Sequence, residues 1–304
     1  MLSLFLVLSI AAVRAGGAQS SGQSTASNLS PSSFEQIRTQ AAAGDVAAQL
    51  ALAKAFESGS GVSQSDKQAA AWYRKAADQG NAEAQNNLGV MYTAGRGVDE
   101  SKQEAVKWYR RAARQKNAAA MFNLGTAYYN GDGVTVDDVA AYAWFLLAQE
   151  GGSEPATAAV ERQRNEVSRF QASETFEKVG DMYQQGEELV TSYADAAKWY
   201  QRAAEKGQGS AQVKLASLLL EGRYGMENFI EARHWCAVAA KQYESAGAYC
   251  LGMIYERGLG VARDMELAVK GYTDAAQLGH LRAELRLGEL YWKGDGVKAD
   301  RVTA

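Results

Sequence analysis

Side chains suited to chemistry are sparse in this 304-residue chain, which has two histidines, His234 and His280, and two cysteines, Cys236 and Cys250. His234 and Cys236 stand two residues apart, and on a helix such a pair diverges by about 200°, too far to share a metal ion. No nucleophile elbow, Ser-x-x-Lys or zincin motif occurs. A Gly-x-Gly-Val pattern recurs at Gly59, Gly95, Gly131, Gly258 and Gly294 and could suggest a phosphate cradle. Such a cradle follows a strand and opens a helix. Here the pattern follows helical periodicity, and no alternating strand pattern is present, so it reads as a turn. The carboxylates fall in polar helical columns, where a solvated face accounts for them. The expectation is therefore a chain with no catalytic residues, no metal and no cofactor.

The elements around these residues repeat. Trp72, Trp108 and Trp144 are 36 residues apart, as are Trp199 and Trp235. A second column runs Leu88-Gly89, Leu124-Gly125, Val179-Gly180, Leu215-Ala216, Leu251-Gly252 and Leu287-Gly288. Its steps are 36 except one of 55, which places 19 extra residues between the third and fourth of seven units. A fixed period of this size marks an array whose units bury their apolar faces only against neighbours.

Each unit reads as two helices. Ala84, Leu88 and Tyr92 recur at i, i+4, i+8 on one face. Gly89, Gly125, Gly252 and Gly288 sit in mid-helix, where glycine costs about 1 kcal/mol against alanine, so close packing must compensate. Ala105, Trp108 and Ala112 share a face of the second helix. Gly80, Gly152, Gly207 and Gly279 follow its end as αL terminators. Six residues after each turn's first glycine stands a capping residue: Ser65, Ser101, Asp137, Ser192, Asn228, Asp264 and Asp300. Ser65 with Gln68, and Ser101 with Glu104, are expected to form reciprocal capping boxes. The fold class is all-α, a solenoid of 36-residue helix-turn-helix repeats.

Residues 69–98 resemble the Sel-1-like repeat family, relatives of the tetratricopeptide repeats. The resemblance rests on Ala69-Ala70-Ala71-Trp72-Tyr73-Arg74-Lys75-Ala76-Ala77, then Ala84, Leu88-Gly89, Tyr92 and Gly95-Arg96-Gly97-Val98. It extends over about residues 44–304 and implies a right-handed α-α superhelix with a groove lined by the first helices. It also implies an adaptor or scaffold for a protein or peptide, often in the bacterial envelope. The disulfide-rich branch of the family places its cysteines in other columns, which favours Cys236 and Cys250 as two small buried hydrophobes. A bridge between them stays open if the chain is exported.

By analogy with the tetratricopeptide groove, the partner-binding positions are those equivalent to 83, 86, 90 and 94. In the first three units these include Glu83, Asn86, Val90, Phe122, Thr126 and Asn130. In units four and five they include Asp181, Gln185, Val213 and Ser217. In units six and seven they include Tyr249, Met253, Arg257, Arg282, Glu289 and Lys293. Some units depart from the pattern: unit four lacks the second turn glycine, unit five has a shifted Gly222-Arg223-Tyr224-Gly225, and unit six has Gly271 in place of tryptophan.

Residues 1–18, with an apolar run too short to span a membrane, read as a signal peptide, and 19–34 as a Ser-rich linker. Units one to three occupy 35–152. An inserted helix or internal cap occupies 153–172, with Ala156, Val160, Val167 and Phe170 near one face. Units four to seven occupy 173–304. A net charge of -3 gives no drive toward nucleic acid. The expected protein is exported, periplasmic or secreted, with no integral span in its mature chain. Weaker alternatives are an envelope spacer working through its ends and an enzyme acting on β-lactams or peptidoglycan.

Overall fold

The computed structural model describes residues 31–164, 169–225 and 227–300. The expected signal peptide, most of the linker, Val167 and the helix expected after Asp300 lie outside them. The described residues form fifteen helices in two compact units, one holding α1–α8 and the other α9–α15.

The first unit comprises α1 (Pro31–Ala42), α2 (Val46–Ser58), α3 (Asp66–Asp78), α4 (Ala82–Ala94), α5 (Lys102–Ala113), α6 (Ala118–Asn130), α7 (Asp138–Glu150) and α8 (Glu154–Arg164). Each helix packs on the next in sequence. The pairs α2–α3, α4–α5 and α6–α7 are the first three repeats, each a first helix A and a second helix B. Their buried seam holds Leu52, Tyr73, Leu88, Met91 and Leu124, each fully buried. The tryptophan column is buried too, except that Trp72 is half-exposed with Lys75 Nζ 3.7 Å from its ring centroid.

The array extends half a repeat beyond the expected units at both ends of this unit. α1 starts at Pro31, a favoured first helical position, so the last residues of the expected linker are helical. Its Ala41 and the following Gly44 stand 36 residues before Ala77 and Gly80, which puts α1 in the register of a B helix. Phe34 anchors it edge-on against Phe56, ring centroids 6.0 Å apart. The expected insertion begins as the matching half. Ala156 and Val160 of α8 follow Ala120 and Leu124 by 36 residues, and both are buried. Ser153 caps α8 through the Ala156 amide, as Asn117 caps α6. Gln36 and Gln40 occupy the columns of Trp72 and Ala76, and Glu161 that of Gly125. All three are exposed, the polar outer face that ends an array. The side chain of Phe170 is outside the described residues.

The second unit comprises α9 (Arg169–Gln185), α10 (Tyr193–Glu205), α11 (Gly209–Glu221), α12 (Phe229–Lys241), α13 (Ser245–Arg257), α14 (Met265–Gln277) and α15 (Leu281–Lys293). They give repeats four, five and six and the A helix of repeat seven. Among the described residues no helix is long and apolar enough to cross a membrane.

Six of the seven expected B-helix caps are made by side chains, from Ser65, Ser101, Asp137, Ser192, Asn228 and Asp264. The capping boxes are only half formed, because the Ser65 amide donates instead to the Phe56 carbonyl (2.9 Å) and that of Ser101 to Tyr92 (3.0 Å). The same bond recurs at every cap, including Asp300 to Tyr291 (3.0 Å), and staples the start of helix B to its own helix A. An amide has one proton, so the staple excludes the box.

The turn glycines set the distance between repeats. A Cβ at Gly97 would lie 2.1 Å from the Asp66 carbonyl oxygen at the start of the preceding B helix. Gly133 meets Lys102 in the same way. Repeat four is the first of its unit, and among the described residues of that unit no B helix precedes it for a second turn glycine to approach. In repeat five, Arg223 lies over the ring of Tyr193, the first residue of α10, at 5.2 Å, a side-chain contact in place of backbone approach. Gly271 lies where the backbone of Gly252 and Ala248 leaves no room for a Cβ, and a tryptophan there would force α13 and α14 apart.

A relay of glutamines crosses the interior. Gln115 Nε2 donates to Gln85 Oε1 (2.8 Å), and Gln85 Nε2 to the Ala77 carbonyl (3.0 Å). Gln79–Gln49–Ala41 and Gln242–Gln212–Ala204 repeat it. Each relay ties a B helix through its A helix to the preceding B helix and satisfies polar groups that would be costly if buried alone.

Candidate functional site

The histidines serve local structure. His280 Nδ1 accepts from the Ala283 amide at 3.2 Å as the cap of α15, and His234 packs edge-on against Trp235. Among the described residues no three His, Cys, Asp or Glu side chains cluster as metal ligands. What remains is the surface made by neighbouring A helices.

On α4 and α6, Asn86 is nearly buried, Val90, Phe122 and Thr126 are half-buried, and Asn130 is exposed. Glu83 is exposed and pairs with Lys54 at 2.6 Å. Phe122 packs on Phe145 of α7, centroids 5.6 Å apart, and Thr126 hydrogen-bonds its own helix at the Phe122 carbonyl. Asn86 Oδ1 accepts from Asn123 Nδ2 of the next A helix at 2.9 Å. Asn123 was not among the expected positions. It stands one residue beyond the 86 column and faces the preceding repeat.

The same column matters in the second unit. Lys214 of α11 reaches back to Glu177 (2.8 Å) and Asp181 (2.6 Å) of α9. Arg286 of α15 pairs with Glu256 of α13. Tyr200 donates to Asp181 at 2.7 Å, and Tyr272 to Glu256 at 2.5 Å. Burial opposes charge on Glu177, but hydrogen bonds from Lys214 and Ser210 outweigh it and hold its carboxyl below the usual range. Burial and then the Asp181 carboxylate push the Tyr200 phenol far up, while burial takes Tyr109 up to about 12.

A carboxyl with a lowered folded pKa stabilises the fold at pH above its ordinary value, and that contribution fades as pH falls through the folded value. The second unit is therefore expected to lose the contribution of Glu177 as pH falls from about 5 to about 3. Urea midpoints at the two pH values should differ less in Glu177→Gln, and an equal drop in both would exclude this source.

Tyr249 stacks on His280 at 4.5 Å, Val213 and Met253 are half-buried, and Gln185, Ser217, Arg257, Arg282, Glu289 and Lys293 are exposed. Glu289 is ion-paired to Arg286. The expected residues thus lie along A-helix faces in each unit, some free at the surface and others tied to the adjacent repeat.

The structure joins Cys236 of α12 to Cys250 of α13, Cα atoms 5.9 Å apart, in place of the two buried hydrophobes favoured from the sequence. The deciding factor is column geometry. Cys236 replaces the ring of Tyr200 and Tyr272, and Cys250 takes the column of Lys214, the residue that reaches back to the preceding repeat.

Stacked helix pairs with a fixed inner seam and a variable A-helix surface define a repeat scaffold of the α-solenoid class. The Sel1 repeat model matches residues 46–81, 82–117, 118–153, 177–208, 209–243, 245–280 and 281–304, and the chain belongs to that family. Sel1 repeats form a non-enzymatic, protein-interaction fold. Chitin synthase regulatory factor 3 of Schizosaccharomyces pombe is 35% identical over 117 residues, covering 37% of this chain and 12% of that protein. Protein sel-1 homolog 2 of Homo sapiens is 28% identical over 145 residues, covering 45% of this chain and 21% of that protein. A Sel1 repeat protein from Oxalobacter formigenes aligns at 26% identity with a TM-score of 0.41, over 90% of this chain and 73% of that one. A protective antigen of uropathogenic Escherichia coli with an SLR fold gives 28%, a TM-score of 0.36, and 89% and 77% coverage.

Proposed function

We propose that the chain is an exported scaffold whose A-helix faces hold a protein or peptide. The observation that carries this reading is the division of each A helix into two sets of columns. Those of Ala84, Leu88 and Gly89 repeat and are buried through the first five repeats, whereas those of Val90 and Ala94 change from repeat to repeat on a rigid support. Rigid scaffolds with varied surface positions are suited to recognition. The Cys236–Cys250 disulfide and the apolar start of the chain support an oxidising destination.

The test is affinity capture from envelope extract, with the bound protein identified by mass spectrometry. Asn130→Ala, Ser217→Ala and Arg257→Ala together change exposed positions of these columns. They should reduce retention of the partner about tenfold, since truncating surface contacts of this number costs about 1–2 kcal/mol. Retention unchanged by the triple substitution would move recognition to the ends of the array.

A further inference from the structure

Each described B helix passes into the next A helix through one residue in the left-handed region. Gly44, Gly80, Gly152, Gly207 and Gly279 fill this column, and the two side chains in it, Lys116 and Tyr243, both sit at φ +62°. The column points outward, since a Cβ at any of the five glycines would meet nothing within 4 Å. A Cβ in the left-handed region crowds the following carbonyl, so a bulky residue is held there against its preference. Lys116 interacts with other groups of the protein. Tyr243 is 80% exposed, the most exposed large apolar residue among those described. The turn that carries it is nevertheless firmly fixed. Tyr243 is the midpoint of the loop closed by Cys236 and Cys250, which joins the two helices below it. The Tyr243 and Glu244 amides donate to the Ala240 and Ala239 carbonyls at 3.0 and 3.1 Å. At Gly247 the two helices are so close that a Cβ would fall 2.7 Å from that of Ala239. The Glu244 side chain fills the space that a Cβ on Gly209 of α11 would need. The direction of the Tyr243 side chain is thereby set, and only its own torsions are left to vary.

We infer that Tyr243 is a recognition anchor: its ring enters an apolar pocket, one ring wide, on a second protein, and its phenol O–H donates to an acceptor at the pocket floor. Strained residues persist where function requires their position, and here no contact within the fold explains a tyrosine in place of glycine. A side chain that projects from a turn calls for a concave partner. Tyrosine brings a large contact area with two torsions to fix, and it is enriched among residues that dominate interfaces. Lys241 and Gln242 are exposed beside it and Glu244 is half-buried, a polar collar like the rim around an anchor in a protein interface. A bilayer is a poorer match, because one ring among charges of both signs offers neither a broad apolar face nor a basic cluster. The anchor stands at the edge where B helices turn into A helices. It goes beyond the A-helix reading above and does not depend on it.

The test places the photo-cross-linker p-benzoylphenylalanine at position 243 of the full chain, and at position 207 in a second sample as background. Irradiation in envelope extract and mass spectrometry of the adducts should identify one protein joined at 243 well above the level at 207. That protein is then purified and its affinity measured directly. Tyr243→Gly should weaken it about thirtyfold, the loss expected of a central anchor, and Tyr243→Phe about fivefold, the loss of one hydrogen bond. The urea midpoint of Tyr243→Gly should be no lower than that of wild type, which a ring with a structural role would not allow. Adducts no stronger than at 207, or formed only with lipid or with another copy of this chain, would overturn the inference. So would an affinity unchanged by Tyr243→Gly, or a lowered urea midpoint in that variant.

Discussion

Replacing Gly97 by alanine is expected to destabilise the first unit by about 3 kcal/mol, while the same change at Gly80 costs about 1 kcal/mol. Both glycines are in the left-handed region, with φ of +69° and +91°, so backbone strain is common to the pair. The difference lies in what a methyl group meets. At Gly80 there is nothing within 4 Å, whereas at Gly97 the new Cβ would fall 2.1 Å from the Asp66 carbonyl oxygen and 2.7 Å from the Lys67 nitrogen. Those atoms belong to the first turn of α3, which the Ser65 cap and the staple to Phe56 hold in place. Backbone so anchored cannot swing aside like a side chain, and the turn of repeat two must lift away from repeat one. Urea denaturation of the two variants measures the contrast. Equal losses would mean that the turn is not seated on α3.

The period, the helix pairs and the B-helix caps were legible because each follows from a local requirement repeated in every unit. Leu88 must be apolar, Gly95 must take positive φ, and Ser101 must accept an amide, whatever lies beyond the repeat. The half-repeats were not legible for a converse reason. Among the described helices of the first unit, α1 packs on α2 and α8 on α7, so the residues that mark a repeat are relaxed to Gln36, Ile37 and Glu161, and Ala41, Ala156 and Val160 keep the register. The candidate face was legible in part. The 86 and 90 columns were recognisable by their variation, but Asn123 and Lys214 lie one residue away. Which of two adjacent columns reaches the next A helix depends on how each helix is rotated in the array. The capping boxes failed on the same ground, since Ser65 and Gln68 have the right types and spacing, while the Phe56 carbonyl that takes the Ser65 proton is distant in sequence.

Breaking the Cys236–Cys250 bridge should cost the second unit about 3 kcal/mol, the value for closing a loop of this size. The separation is 14 residues, and the bridge joins α12 of repeat five to α13 of repeat six. Its position argues that the loss is felt at the seam between those repeats. On either side the corresponding column carries Tyr200 and Tyr272, each hydrogen-bonded to a carboxylate and packed over a glycine, Gly180 or Gly252. Repeat five has Cys236 with Ala216 instead, so neither the ring nor its hydrogen bond is present to hold α12 when the bridge is gone. Cys236→Ala with Cys250→Ala should lower the denaturation midpoint under oxidising conditions, and thiol reductant should then have no further effect. Wild type should fall to the same midpoint when reduced. If covalent closure merely replaces the tyrosine contact, Cys236→Tyr, Ala216→Gly and Cys250→Lys together should recover part of the loss and make the protein indifferent to reductant. Equal stability of oxidised and reduced wild type, or failure of the tyrosine-restored variant to exceed the double alanine, would show that the seam is held by other contacts.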